Sequence, residues 1–160
     1  MYKRQQYNEF IRLQRRLLAG AGLRVAAVEN EHAAIHVGTA YMIENELIDL
    51  PEGGRHGEDP NLTDPDELFH RWTTYVSLKL YMKEPKLALV NTIYIQPQWT
   101  DFSDYRLIDD AEITIEVASG FKVVWAFSLR YDSDPPLDGE EVPLVKRLDT
   151  SFSHNLRVTF

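Results

Sequence analysis

The sequence predicts an all-β chain: an antiparallel up-and-down meander of about seven strands, forming part of a barrel wall. Three observations carry this. Apolar and polar residues alternate with period two over most of the chain. Short turns and long polar connections alternate along it. The last nine residues, Phe152 to Phe160, form a strand with Phe152, Leu156, Val158 and Phe160 on one face, and the chain stops on that terminal aromatic.

Met1-Tyr2-Lys3-Arg4-Gln5 has no apolar core and is not a secretory leader. It reads as a non-native or disordered tail (1–5) on a chain whose true start lies upstream, ahead of a single β domain over 6–160. Residues 7–13 could open a short helix or a strand. From Leu17 the pattern is clear: Leu17, Ala19, Ala21, Leu23 and Val25 oppose Gly20, Gly22, Arg24 and Ala26. After a polar turn at Glu29–His32, the next strand sets Ala33, Ile35, Val37, Tyr41 and Ile43 against His36, Gly38 and Glu44. Residues 47–67 are a long loop rich in Gly, Pro and Asp.

The third strand covers about 69–82, with Trp72, Val76, Leu78, Leu80 and Met82 alternating with Arg71, Tyr75, Ser77 and Lys79. A turn at Lys83–Lys86 leads to the fourth, about 87–96, with Leu87, Leu89, Ile93 and Ile95 on its apolar face. The fifth sets Leu107, Ala111, Ile113, Ile115 and Val117 against Arg106, Asp110, Glu112, Thr114 and Glu116. Ala118-Ser119-Gly120 turns into the sixth: Phe121, Val123, Trp125, Phe127, Leu129 and Tyr131 against Lys122, Ser128 and Arg130. A second long acidic loop, Asp132 to Lys146, precedes the final strand.

In a meander the short turns (29–32, 83–86, 118–120) share one end and the longer connections (47–67, 98–104, 132–146) the other. Outer-membrane barrels have this asymmetry. Aromatics gather at strand ends: Tyr81, Phe121 and Phe160 at the turn end, and Trp72, Trp99, Phe102, Tyr105 and Tyr131 at the loop end, where bilayer interfaces favour them. Backbone groups cannot go unpaired in hydrocarbon, so only helices or closed barrels span it. No apolar run is long enough for a spanning helix. On this reading the polar face lines a lumen, with Arg24, Arg71, Lys79, Arg106, Asp110, Glu112, Glu116, Lys122, Arg130 and Arg157 as lumen-facing candidates. Leu156, Val158 and Phe160 form a carboxy-terminal assembly signal. Gly20, Gly22 and Gly38 relieve crowding inside the curved wall. Asn91, His154 and Asp109 fall on apolar faces; an interface position near a strand end excuses Asp109, and the other two count against the reading. A soluble antiparallel barrel or sandwich binding a small apolar ligand also alternates, and is the competing reading.

The formal net charge of −8 disfavours nucleic acid as a partner. With no cysteine there is no disulfide framework. Asp59, Asn61, Asp64 and Asp66, and again Asp132, Asp134 and Asp138, offer oxygen ligands at close spacing. The Gly and Glu positions of a calcium loop are missing, and Pro60 and Pro65 interrupt. No metal site or cofactor is therefore expected. Asp132-Ser-Asp-Pro-Pro136 reads as a fixed loop exit. His32, His36, His56, His70 and His154 show no zinc-enzyme spacing. Ser128 and His154 could lie on neighbouring strands, but parity puts them on opposite faces, against a lipid-hydrolase dyad.

Four segments together resemble one family: residues 18–24 (LAGAGLR), 94–107 (YIQPQWTDFSDYRL), 129–136 (LRYDSDPP) and the terminal Phe160. The resemblance is to the salt-induced outer-membrane protein family, YdiY-like, catalogued as domain of unknown function four-eight-one, and covers most of residues 7–160. It implies an outer-membrane β-barrel of a Gram-negative envelope, with no established activity and no catalytic residues to carry over; together with the terminal strand, the reading is of a non-enzymatic protein whose partners are lipid and the barrel-assembly machinery. A porin or structural role under salt stress comes from the family name alone. The chain departs from the family in lacking a leader and amino-terminal strands, and in a longer, more acidic loop over Leu137–Lys146.

Overall fold

The computed structural model describes residues 2–8, 13–56, 61, 63–83, 86–138 and 140–158, with side chains from residue 14 onward. Phe160, Asp59, Pro60 and the Glu84–Pro85 part of the predicted turn lie outside the described residues. Every regular element among the described residues is a strand: β1 (Tyr2–Asn8), β2 (Leu13–Glu29), β3 (Ala33–Ile48), β4 (Asp66–Met82), β5 (Leu87–Pro97), β6 (Tyr105–Ala118), β7 (Phe121–Asp132) and β8 (Leu148–Val158). They form one eight-stranded antiparallel sheet in sequence order.

The seven expected strands are β2 to β8. β1 is added at the front edge, pairing Tyr2 with Gly20 through Gln6 with Arg16. The segment read as a non-native or disordered tail thus contributes residues 2–5 to a strand. Its residues carry no apolar alternation, so periodicity could not reveal a partner made by backbone pairing. The sheet is open: β1 and β8 each pair on one side only and do not pair with each other. The expected part of a barrel wall is thus an antiparallel meander that forms an open sheet, not closed into a barrel.

The register carries one parity across the sheet. Val25 faces Val37, Val37 faces Val76 and Val76 faces Ile93, while Ile113 faces Trp125 and Val123 faces Leu156. These aliphatics and rings share the outer face. Leu23 is 77% exposed and Phe152 67%, and Val37, Val76, Ile93, Ile113 and Phe127 are all exposed as well. The inner face is the covered one, and it is polar. Glu44, Glu46, Arg71, Thr73 and Ser77 are buried there, against few apolar residues: Ile48, Phe69 and Val124 on strands and Leu137 in a loop. Soluble sheets bury the opposite side.

A single layer can bury one face only by curling over it. In a flat sheet β3 and β6 would lie roughly 14 Å apart at the usual strand spacing, yet Arg106 of β6 bonds Glu44 and Glu46 of β3 directly. Glycines permit the curl where it is tightest. A Cβ on Gly22 would lie 2.2 Å from the Thr39 carbonyl oxygen and 2.4 Å from Ala40 Cβ. One on Gly38 would lie 2.1 Å from the Tyr75 ring, which sits in that space against Tyr94, centroids 5.3 Å apart. Gly38→Val should cost about 1–3 kcal/mol through overpacking. Tyr75→Ala should recover part of that loss in a double-mutant cycle of denaturation midpoints.

Candidate functional site: the inner face and its capped end

At the loop end the inner face carries a charged network drawn from five strands and one connection. Beyond the apolar part of β3, alternation continues past the predicted loop start and turns Glu44, Glu46 and Ile48 inward. Arg71 of β4 donates from Nε to Glu44 Oε2 at 3.0 Å, and from its two terminal nitrogens to the Asp104 carboxylate at 3.3 and 3.1 Å. Arg106 donates to Glu44 (2.9 Å), Glu46 (3.1 Å) and Asp132 (3.0 Å). Arg16 of β2 completes it, 2.6 Å from Glu44 and bonded to Glu46 through both Nε and Nη2. Three guanidiniums thus meet four carboxylates. Burial pushes the Asp104 carboxyl above its ordinary range, and the neighbouring Arg71 guanidinium pulls part of that back.

The two long connections lie over this network. His56 packs on the inner-facing ring of Phe69 (5.6 Å), and Arg71 lies over the same ring at 5.6 Å. Arg55 and Leu137 exchange both backbone hydrogen bonds at 2.9 Å, and Arg55 Nη2 reaches Glu141 at 3.1 Å. Pro135, Pro136 and Leu137 are buried beneath. The β7–β8 connection is folded on itself: Asp138 Oδ1 accepts from the Glu140 and Val142 amides, both at 2.9 Å.

The register puts all ten polar candidates on this inner face. Only Arg71 and Arg106 enter the network. Arg130 pairs loosely with Asp110 at 3.5 Å, Glu116 with Lys86 at 2.9 Å, and Glu112 accepts from Thr114 at 3.0 Å. Arg24, Lys79, Lys122 and Arg157 stand apart, toward the turn end. Arg16, Glu44, Glu46, Asp104 and Asp132 were not among the candidates. Continuing the parity two residues beyond the first and second clear strands would have found Arg16 and Glu46.

The acidic side chains of the two long connections are engaged locally. Asp132 serves Arg106, Asp66 accepts from Asn45 at 2.6 Å, and Asp64 accepts from the Asp66 amide at 3.0 Å. Among the described residues no group of three or more acidic or histidine side chains is placed to hold a metal ion. Ser128 donates to Asp110 at 2.6 Å on the inner face, with His154 on the outer face opposite Trp125. Two of the misplaced outer-face polar residues satisfy each other: Asn91 donates to Asp109 at 2.5 Å. Below the network a shallow groove of about 280 Å³ runs past Thr92, Asp110, Glu112, Ser128, Ser151 and Ser153.

Removing a buried partner strands the rest of the network. Arg71→Ala should destabilise by about 3–5 kcal/mol, because Asp104 loses the guanidinium paired with it while still largely buried and Glu44 loses one of its three. Arg130→Ala, which removes an exposed pair, should cost about 1 kcal/mol or less. Equilibrium unfolding of the two variants side by side checks the difference.

Comparison with curated proteins finds no match, and comparison with solved structures finds none. The family model described as a protein of unknown function, DUF481, matches residues 1–160. Spanned by that model from end to end, the chain belongs to the DUF481 family.

Proposed function

We propose that this sheet is the wall of an outer-membrane β-barrel of a Gram-negative envelope, a non-enzymatic protein whose outer face meets lipid. The observation that carries the reading is the inverted amphipathicity: aliphatics and rings outward, ion pairs inward. A soluble sandwich or ligand-binding barrel would need an apolar interior, and this inner face is largely charged and polar.

The height of the apolar band supports the same reading. Trp72 to Met82 on β4 and Phe121 to Tyr131 on β7 both run from one end of the band to the other. Each interval is roughly 33 Å along the strand by the usual rise. A tilt of about 40° reduces this to roughly 25 Å, the height of an outer-membrane apolar band. Aromatics mark its loop-end margin. Trp99 packs on Trp72 (5.7 Å), Tyr41 (6.3 Å) and Phe102 (6.4 Å), and Tyr105 on Tyr131 (5.7 Å). Tyr81, expected at the other margin, has inner-face parity instead, opposite Ala88. Beyond the loop-end margin the outer face turns polar, where Arg15 bonds Asn45 at 3.0 Å. Leu156 and Val158 stand on the outer face of β8, where an assembly factor could read them.

The expected outcome of a charge placed in the band is failed insertion. Ile113→Arg, near mid-band, should cost roughly 2–4 kcal/mol and abolish folding into phospholipid vesicles, and Val123→Arg, two residues from the Phe121 margin, should cost less but still impair it. Glu112→Gln and Glu116→Gln should fold nearly as the parent does. Heat-modifiable gel mobility after vesicle folding reads both, and equal tolerance of the two sets would overturn the assignment.

A further inference from the structure

The inner face treats its cations differently at its two ends. At the loop end every guanidinium of the network meets carboxylates, and the joined connections cover it. At the turn end Arg24, Lys79, Lys122 and Arg157 share the inner face, and none makes an ion pair among the described residues. Lys122 and Arg157 stand directly opposite each other across β7 and β8. Like charges so placed destabilise a sheet unless a counter-charge lies between them. Glu116, also opposite Lys122, is hydrogen-bonded by Lys86 and gives Lys122 only a weaker, unbonded attraction.

Resting on the barrel reading, we propose that the interior is a blind chamber. It is shut at the loop end by the paired connections and open at the turn end, where Arg24, Lys79, Lys122 and Arg157 draw in small anions. These four cations outnumber Glu112 and Glu116 on the same face, and clefts in which one sign of charge prevails concentrate ions of the other sign, as basic linings select anions in pores. The loop-end network carries nearly balanced charge and offers no such attraction. The covering loops are held by backbone pairing at Arg55 and Leu137, so closure there does not rest on side chains alone.

The chain has no cysteine, so one introduced thiol reports access to the chamber. Asn155→Cys stands on the inner face two residues from Arg157. Glu140→Cys, on the β7–β8 connection, identifies the loop side of phosphatidylcholine vesicles. The probes are a membrane-impermeant anionic sulfonatoethyl methanethiosulfonate and its cationic trimethylammonium counterpart. From the turn side the anionic reagent should modify the Asn155→Cys variant about ten-fold faster than the cationic one, and Lys122→Gln with Arg157→Gln should bring that ratio near one. From the loop side the same thiol should react slowly until Leu137→Pro removes the amide that pairs with Arg55. Equal rates for the two reagents, or loop-side access as fast as turn-side access without the Leu137→Pro change, would overturn the chamber. A protein that never enters the vesicles would overturn the barrel reading instead.

Discussion

The contact on which the curl depends is the one from Arg106 to Glu44 and Glu46. It joins β6 to β3 over two intervening strands. A single-layer sheet has no second layer to pack on, so its curvature must be held by whatever meets across its hollow side. Here that is a set of ionic hydrogen bonds whose partners lose water together. Such groups are costly to bury singly and are tolerated because each is matched. The glycines at 22 and 38 give the backbone room to approach, and the network supplies attachments that keep it there.

From this follows the division of the strands into two parts. β2, β3 and β4 are longer than β5, β7 and β8. Their surplus residues carry the network and the platform on which both long connections settle. The platform includes Phe69 and Ile48, two of the few apolar side chains that are buried. Three of the four buried apolar side chains, Ile48, Phe69 and Leu137, thus lie under the loops, with Val124 alone standing apart from them within the sheet. On the proposed reading those three stand outside the apolar band.

Strand positions and faces were legible in the sequence because alternation has a period of two and needs only local information. The outer-face set of β2 agrees with the register residue by residue, and that of β6 does so from Leu107 to Ile115, Val117 falling at a register shift. What stayed hidden depended on partners distant in the chain. Glu46 lies just ahead of the predicted loop with nothing local to mark it, until Arg106, far along the sequence, is seen to reach it. Asn91 and Asp109 each look like errors on an apolar face, and only their mutual hydrogen bond explains both. β1 left no mark because backbone pairing leaves no pattern in side-chain polarity. The docking of one long connection on the other was equally unreadable, since loop composition reports turn chemistry and not destination.

Trp99 is fixed to β4 by its amide, which donates to the His70 carbonyl oxygen at 2.7 Å, while its ring lies on Trp72. Trp125 stands further down the same outer surface, opposite Ile113 and His154. The three indoles therefore occupy two levels of one wall. Immersed as proposed, the protein carries its own depth gauge: a lipid-borne quencher moved stepwise along the acyl chain would dim the paired indoles first and Trp125 last.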